Sequence, residues 1–228
     1  MMRGPIHPAR ALRRLRRRIR PITEPEAFDR IYARGTWDQR EGRSFSGPGS
    51  TADMARPYEE VIVPFLQAHD VQSVLDYGCG DFQVSARISE RMGGSVRFHG
   101  YDISKLVIEQ NRAHYPDRFT FLTADDDLPA VDAATARQVL QHVRFRTAQD
   151  ALDRLLDQAR FLIVAEHVDA ATGENERDLK LWEVDGTRRG IYVDRPPFNL
   201  EVEQEWLLPW ESDQIPGYLR VTVTRGKR

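Results

Sequence analysis

Three acids and two glycines form the part of the sequence with the most specific chemistry. The run Val74-Leu75-Asp76-Tyr77-Gly78-Cys79-Gly80-Asp81 follows a strand-like segment and precedes a helical one. Glycines permit a tight turn and let a ligand approach the backbone where a Cβ atom would collide. The N–H groups at the start of the next helix point toward the same place. Asp102 ends the following predicted strand, where its carboxylate can accept hydrogen bonds from both hydroxyls of a ribose.

The spacing of this turn distinguishes between nucleotide ligands. A dinucleotide-binding turn would carry another glycine at the position of Gln83, and a phosphate-binding loop would carry a lysine. An acid two residues before Gly78 suits a ligand with an ammonium group better than a diphosphate. S-adenosylmethionine is an adenosine with a cationic amino-acid tail, so it fits both Asp76 and Asp102. We therefore predict S-adenosylmethionine as the cofactor.

Strands and helices alternate around this turn, and this order predicts an α/β Rossmann-like fold. The sheet is expected to be mostly parallel and closed by an antiparallel hairpin, with helices N-terminal to it. Thr23 and Glu26 form a predicted capping box at the start of a helix that ends near Gly35, and Thr147 with Asp150 resembles a second one. The predicted strands are Ser73–Tyr77, Val96–Tyr101, Phe119–Thr123, Val131–Gln138, Phe161–Ala165, Glu205–Leu208 and Tyr218–Thr224, and the predicted helices are Thr51–His69, Phe82–Met92, Lys105–His114 and Thr147–Gln158.

Composition limits the remaining classes of function. The formal net charge is -2, and the first twenty residues hold eight arginines and no acid, so the rest of the chain is acidic. We therefore expect no nucleic-acid binding by the main domain. The basic segment could contact RNA, an anionic membrane or an acidic partner, or it could be a mobile solvated tail or a partly ordered helix without a partner. A single cysteine, Cys79, excludes an internal disulfide and favours a cytoplasmic location. No apolar run is long enough to predict a transmembrane segment.

The motifs resemble those of class I S-adenosylmethionine-dependent methyltransferases over residues 70 to 165. The resemblance implies that Asp76 and Gly78 hold the methionine tail, that Asp102 holds the ribose, and that Asp125 with Asp126 holds the adenine edge. The family often has glycine where Phe82 stands, so the packing near the tail is expected to differ. The resemblance rests on the Asp76–Gly80 turn, Gly100-Tyr101-Asp102-Ile103, Thr123-Ala124-Asp125 and Arg137-Gln138-Val139-Leu140-Gln141-His142-Val143, and it adds Gly80, Ile103 and Gln138 to the expected cofactor site.

A narrower resemblance extends over most of the chain, to a bacterial group linked to O-methylation of sugars and polysaccharides. It implies an acceptor that is a small molecule or an oligosaccharide, such as a mannoside precursor of methylmannose polysaccharide. Methylation of a non-sugar metabolite at nitrogen or oxygen, and a catalytically silent binding protein, remain alternatives, and a homodimer is left open. The motifs are Phe28-Asp29-x-Ile31-Tyr32, Trp37, Ser46-Gly47-x-Gly49-Ser50, Gly80-Asp81-Phe82, Leu140-Gln141-His142 and Arg195-Pro196-Pro197-Phe198.

We divide the chain into a basic N-terminal tail, residues 1–21, and a methyltransferase domain, residues 22–228. Within the domain, residues 22–69 form N-terminal helices and a lid loop, residues 70–168 the cofactor-binding core, and residues 169–228 an acceptor cover with the closing strands. Tyr32, Trp37 and the loop Ser46–Ser50 could close over the cofactor, and Trp37 could equally anchor the N-terminal helices.

Catalysis at a sugar hydroxyl would benefit from a general base, and the ends of two predicted strands offer candidates. His142 follows the fourth predicted strand and His167 the fifth, with Glu166 beside it. These residues could also have structural roles: His142 could cap a helix, and Glu166 could form a salt bridge. Glu166 and His167 with Asp169 have no specific metal-ligand spacing, so no metal site is predicted, and magnesium is left open.

Overall fold

The computed structural model describes residues 22–37, 39–40, 43–168, 173–180, 190–210 and 217–228. The predicted basic tail lies outside the described residues. So do Asp169 and much of the predicted acceptor cover, including residues 181–189.

Two helices begin close to their predicted positions because polar side chains cap them. Thr23 and Glu26 form the expected capping box, in which the Thr23 N–H donates to Glu26 Oε2 at 2.9 Å, and Ser104 caps its helix through the N–H of Val107. No helix among the described residues combines the length and apolar character needed to cross a membrane. The helices are α1 (Glu24–Arg34), α2 (Ala52–Ala68), α3 (Gln83–Arg91), α4 (Lys105–His114) and α5 (Phe145–Gln158), with 3₁₀ turns at Pro48–Ser50 and Leu140–His142.

A seven-stranded sheet forms the centre of the fold, and a short two-stranded pair lies apart from it. The short pair is β1 (Gln39–Arg40) with β2 (Arg43–Ser44), and the strands of the sheet are β3 (Ser73–Tyr77), β4 (Arg97–Tyr101), β5 (Thr120–Leu122), β6 (Val131–Arg137), β7 (Ala159–Val168), β8 (Gln204–Trp210) and β9 (Gly217–Arg225). Their order in the sheet is β5-β4-β3-β6-β7-β9-β8. Strands β3 to β7 are parallel, and β7, β9 and β8 pair antiparallel. The predicted Rossmann-like architecture with an antiparallel closing hairpin is therefore confirmed.

Helices pack on both faces of the sheet, which explains why its central strands are rich in apolar residues. Ile62 and Leu66 of α2 are fully buried in one core cluster, and Leu152 and Leu155 of α5 are fully buried in the other. Burial of such side chains supplies the main favourable term in folding. Because both faces are covered, the carboxyl ends of the parallel strands form an edge where polar side chains can meet.

The predicted capping box at Thr147 is wrong. Helix α5 begins one turn earlier, at Phe145 with Arg144 as its N-cap residue, so Thr147 lies inside the helix. Its hydroxyl instead donates to Oε2 of the buried Glu24 in α1 at 2.9 Å, and Arg144 Nε donates to Oε1 of the same carboxylate at 2.8 Å. A tertiary contact between α1 and α5 therefore uses the hydroxyl that the local pattern had assigned to a cap.

Candidate functional site

The glycine turn after β3 is shaped by the loops that pack against it. Gly78 and Gly80 have φ angles of 72° and 51°, in the left-handed region that favours glycine. A Cβ atom on Gly78 would lie 2.5 Å from Val139 Cγ2, and one on Gly80 would lie 2.0 Å from Ser46 Oγ. A larger residue at either position would collide with neighbouring protein side chains. The glycines therefore leave room for the protein itself, in addition to the room for a ligand that the sequence suggested.

Phe82 completes this turn in a conformation that is unusual for a side chain of its size. Its φ angle is 63°, so it occupies the left-handed region that the family more often fills with glycine. The ring is 1% exposed and lies 4.8 Å from the ring centre of Phe119 and 4.9 Å from that of Phe121. Burial of the ring in this aromatic cluster offsets the cost of the backbone conformation.

Asp102 links the turn to the end of β4. The Gly80 N–H donates to Asp102 Oδ2 at 3.0 Å, and the Ser104 N–H donates to Oδ1 at 2.9 Å. The carboxylate is 5% exposed, and burial raises its pKa to about 6 despite these two donors. Each carboxylate oxygen has a further lone pair, so Asp102 can accept the hydroxyl donors of a ribose in the cavity that it lines.

Asp76 provides a second buried carboxylate at the same turn. Its Oδ2 accepts the Ser85 hydroxyl at 2.7 Å, and its Oδ1 accepts the Thr135 hydroxyl at 3.2 Å. Burial raises the pKa of Asp76, and the nearby Arg137 guanidinium acts in the opposite direction. A ligand ammonium group beside this carboxylate would favour its ionised form.

The predicted lid loop contacts the turn through reciprocal hydrogen bonds. The Asp81 N–H donates to Ser46 Oγ at 2.7 Å, and the Ser46 N–H donates to Asp81 Oδ2 at 3.2 Å. Arg87 Nη2 donates to the Ser50 carbonyl at 3.1 Å, and Arg137 Nη2 donates to the Gly49 carbonyl. The loop is therefore bonded to the turn at Ser46 and to side chains of α3 and β6 at its other end.

A cavity of about 360 Å³ opens between the turn, the lid loop and the 3₁₀ segment after β6. This volume lies in the range of small-molecule sites. The expected site residues that line it are Asp76, Gly78, Gly80, Asp102, Ile103, Gln138 and His142, and further lining residues include Phe28, Tyr32, Trp37, Ser46, Gly49, Tyr58, Thr135, Arg137 and Trp210.

His142 reaches this cavity at the end of the 3₁₀ turn. Its ring centre lies 5.1 Å from that of Trp37, and its Nε2 lies 3.2 Å from Gln141 Nε2. Trp37 in turn meets the Tyr32 ring edge-on at 5.4 Å. An imidazole is thus held beside aromatic side chains at the cavity wall, where it can meet an acceptor.

Glu166 takes the role of an anchor for the segment that carries His142. Its carboxylate is 1% exposed and accepts the backbone N–H groups of Val139 and Leu140 on Oε1 at 3.0 and 2.9 Å, and that of Gln141 on Oε2 at 3.1 Å. It is not among the described residues that line the cavity. Glu166 therefore holds the backbone of the 3₁₀ segment from a position that does not line the cavity.

His167 lies one residue further along β7 and is also buried. Its ring centre is 5.1 Å from that of Trp210, and Trp210 stands at the cavity wall. Among the described residues, the lining of the cavity does not include His167. Of the two candidate bases, His142 therefore lines the cavity, whereas His167 contacts Trp210, which lines it.

The two carboxylates expected at the adenine edge lie on an exposed turn outside the cavity. Asp125 forms an ion pair with Lys105 of α4. Asp126 Oδ2 accepts the Thr123 N–H at 2.8 Å and the Thr123 hydroxyl at 3.0 Å, and these hydrogen bonds lower its pKa. Asp126 therefore stabilises the turn after β5, whereas Asp125 pairs with α4 at the surface. Near the end of β4 the cavity is lined by Asp102 and Ile103.

Arg137 is the site residue that the sequence reasoning missed. It ends β6 next to Gln138, which was expected in the site, so its position at the carboxyl end of a central parallel strand was the available signal. The sequence alone does not show toward which face of the sheet the Arg137 side chain points, because this depends on the register of β6 against β3.

Comparison with known proteins agrees with this architecture. Residues 74–160 match the family model described as a methyltransferase domain. An uncharacterized 37.1 kDa protein in transposon TN4556 of Streptomyces fradiae is 33% identical over 101 residues, which are 41% of this chain and 29% of that protein. The chain thus matches under a third of the length of this curated relative.

Two solved structures illustrate the similarity of fold. Magnesium protoporphyrin IX methyltransferase from Synechocystis PCC 6803 with bound S-adenosylmethionine superimposes with a TM-score of 0.60 at 15% identity, over 92% of this chain and 100% of that one. The N-terminal domain of EvdMO1, crystallised in the presence of S-adenosylhomocysteine and D-fucose, gives a TM-score of 0.52 at 14% identity, over 90% and 98% of the two chains. Residues 74–160 of this chain therefore match a methyltransferase domain, and the fold is that of solved S-adenosylmethionine-dependent methyltransferases.

The raised pKa of Asp102 predicts that cofactor affinity depends on pH. Only the ionised carboxylate accepts the ribose hydroxyls strongly, so the Kd for S-adenosylhomocysteine should rise as the pH falls below about 6, by up to about tenfold per pH unit. Calorimetry between pH 8 and pH 5 measures this. Asp102→Asn should weaken binding at pH 8 and remove the inflection near pH 6, whereas Asp125→Asn, at an exposed carboxylate, should preserve both. An unchanged inflection in Asp102→Asn would contradict the assignment.

The three amide contacts of Glu166 predict a large effect of a small substitution. Glu166→Gln places an NH₂ group against at least one backbone N–H and removes the charge, so it should lower the free energy of unfolding by about 1–3 kcal/mol. Urea unfolding tests this, with Glu90→Gln as control, because Glu90 pairs with Arg118 at the surface and should contribute little. Wild-type stability combined with greatly reduced turnover would instead assign Glu166 to direct contact with the acceptor.

Proposed function

We propose that the protein is an O-methyltransferase that transfers the methyl group of S-adenosylmethionine to a hydroxyl of a carbohydrate or a glycosylated metabolite. The observation that carries the proposal is the pair of buried carboxylates, Asp76 and Asp102, on either side of one glycine turn in one cavity. This arrangement suits a ligand with an ammonium group at one end and ribose hydroxyls at the other.

The residues of the turn have separate tasks in this proposal. Asp102 accepts the ribose hydroxyls, and Asp76 accepts the ammonium group of the amino-acid tail. Gly78 and Gly80 leave room along the backbone between them. The cofactor supplies an electrophilic methyl group on a sulfonium, so the task of the protein is to align an acceptor oxygen with that methyl group.

His142 is the proposed general base. A sugar hydroxyl is a weak nucleophile at neutral pH, and removal of its proton as the new bond forms favours the reaction. His142 lines the cavity, and Glu166 holds the backbone of the preceding residues through three hydrogen bonds. Trp37, beside His142, offers an aromatic surface on which the apolar face of a sugar could rest.

A carbohydrate acceptor is supported by the sequence resemblance to the bacterial sugar-methylating group. The structural neighbour crystallised in the presence of D-fucose belongs to the same fold and directs the choice of acceptors to test. A mannoside precursor of methylmannose polysaccharide is the most specific acceptor that the resemblance suggests. The aromatic wall of the cavity would also accommodate a planar non-sugar metabolite, so this class is the second candidate.

The test is transfer of a labelled methyl group to a panel of acceptors, with magnesium and with a chelator. The sugar acceptors in the panel are mannosides, deoxy sugars and other neutral sugars. The non-sugar acceptors are phenols and primary amines. His142→Ala should keep the affinity for S-adenosylhomocysteine and lower transfer about 10²- to 10⁴-fold. His114→Ala, at the exposed end of α4, should change neither quantity.

The outcomes separate the candidate functions. Transfer to phenols or amines alone would replace the sugar acceptor with a non-sugar metabolite. Binding of S-adenosylhomocysteine without transfer to any acceptor would favour a binding protein. Full turnover in His142→Ala would show that this histidine is not the base. Failure of the wild type to bind S-adenosylhomocysteine would reject the proposal that the protein is a methyltransferase.

A further inference from the structure

We propose that Arg137 binds the carboxylate of the cofactor's amino-acid tail and so makes the site selective for nucleosides that carry a complete α-amino acid. This inference rests on the cofactor of the proposed function and assigns a residue to a part of it that Asp76 and Asp102 leave unrecognised.

The register of the sheet brings Arg137 next to Asp76. In the pairing of β3 with β6, Asp76 is opposite Thr135, and the Thr135 hydroxyl donates to Asp76 Oδ1. Arg137 follows Thr135 by two residues, so both side chains leave β6 on the same face. Asp76, Thr135 and Arg137 all line the cavity.

The contacts of Arg137 leave part of its guanidinium group unused. Nη2 donates to the Gly49 carbonyl, and the guanidinium carbon lies 5.4 Å from the ring centre of Tyr58. Nε is buried, and within the described ranges it has no hydrogen-bond partner. Since a guanidinium has five donors in a planar fork, this side chain can bind two oxygens of one carboxylate.

The nearest protein carboxylates already have other partners. Glu59 accepts Arg87 Nε at 2.7 Å and lies 3.5 Å from Arg91 Nη1, and Asp76 accepts the hydroxyls of Ser85 and Thr135. Burial lowers the pKa of Arg137, although a guanidinium keeps its proton at neutral pH. A buried cation without a full set of partners is costly, and a bound carboxylate would relieve that cost.

Asp76 and Arg137 together present opposite charges to the same region of the cavity. An α-amino acid tail carries an ammonium and a carboxylate on one carbon, so the pair is complementary to both groups at once. An ammonium alone would meet Asp76 but would also meet the unneutralised charge of Arg137. The site should therefore discriminate against a cofactor that lacks the carboxylate.

The experiment compares two ligands that differ only in this group, S-adenosylmethionine and decarboxylated S-adenosylmethionine. Calorimetry gives the ratio of their Kd values for the wild type, Arg137→Met and Arg137→Lys. We expect the wild type to prefer S-adenosylmethionine by about 10- to 100-fold. Arg137→Met should lose this preference and keep its affinity for the decarboxylated ligand within about threefold, and Arg137→Lys should retain part of the preference. Arg118→Met, at the surface, should match the wild type.

Binding of the decarboxylated ligand by each variant also reports that its site is folded. Equal affinity of the wild type for the two ligands, or an unchanged preference in Arg137→Met, would overturn the inference and leave the proposed function intact. Equal loss of both affinities in Arg137→Met would also overturn it, because Arg137 would then act only by holding the Gly49 loop. Failure of the wild type to bind either ligand would reject the proposed function itself.

Discussion

The attachment of the glycine turn to the end of β4 is the constraint on which the rest of the site depends. The N–H groups of Gly78 and Cys79 both donate to the Tyr101 carbonyl, at 2.7 and 2.9 Å, and the Gly80 N–H donates to Asp102. Three consecutive amides of one segment are therefore satisfied by the end of one neighbouring strand. This fixes the turn and the carboxylate of Asp102 relative to each other before any ligand binds.

The other parts of the site assemble on this attachment. The side chain of Ser46 packs against Gly80, and that of Val139 packs against Gly78. Neither contact leaves room for a Cβ atom on the glycine. Glu166 then holds the segment that contains Val139 and ends at His142. The carboxylates of Asp76, Asp102 and Glu166 are all buried, and each is compensated by hydrogen-bond donors of the protein. Hydrogen bonds from the protein to such buried carboxylates keep a site rigid in a low-dielectric environment.

Local sequence patterns were sufficient for most of the elements and for the glycine turn that lines the cavity. The periodicity of apolar residues predicted the parallel strands and the closing hairpin, and the spacing of Asp76, the glycines and Asp102 predicted the turn. The patterns failed where a side chain has a distant partner. Thr147 bonds Glu24, 123 residues away, and Asp125 pairs with Lys105 of another element. The roles of Glu166 and Arg137 likewise depend on strand register, because neighbouring residues of a strand point to opposite faces.

We propose that the turn around Asp76 and Asp102 binds S-adenosylmethionine, and a crystal structure of the protein grown with S-adenosylhomocysteine would show whether it does. We expect both ribose hydroxyls to lie within hydrogen-bond distance of Asp102 and the amino-acid tail to end between Asp76 and Arg137. A ligand bound elsewhere, or a ribose turned away from Asp102, would contradict this binding mode.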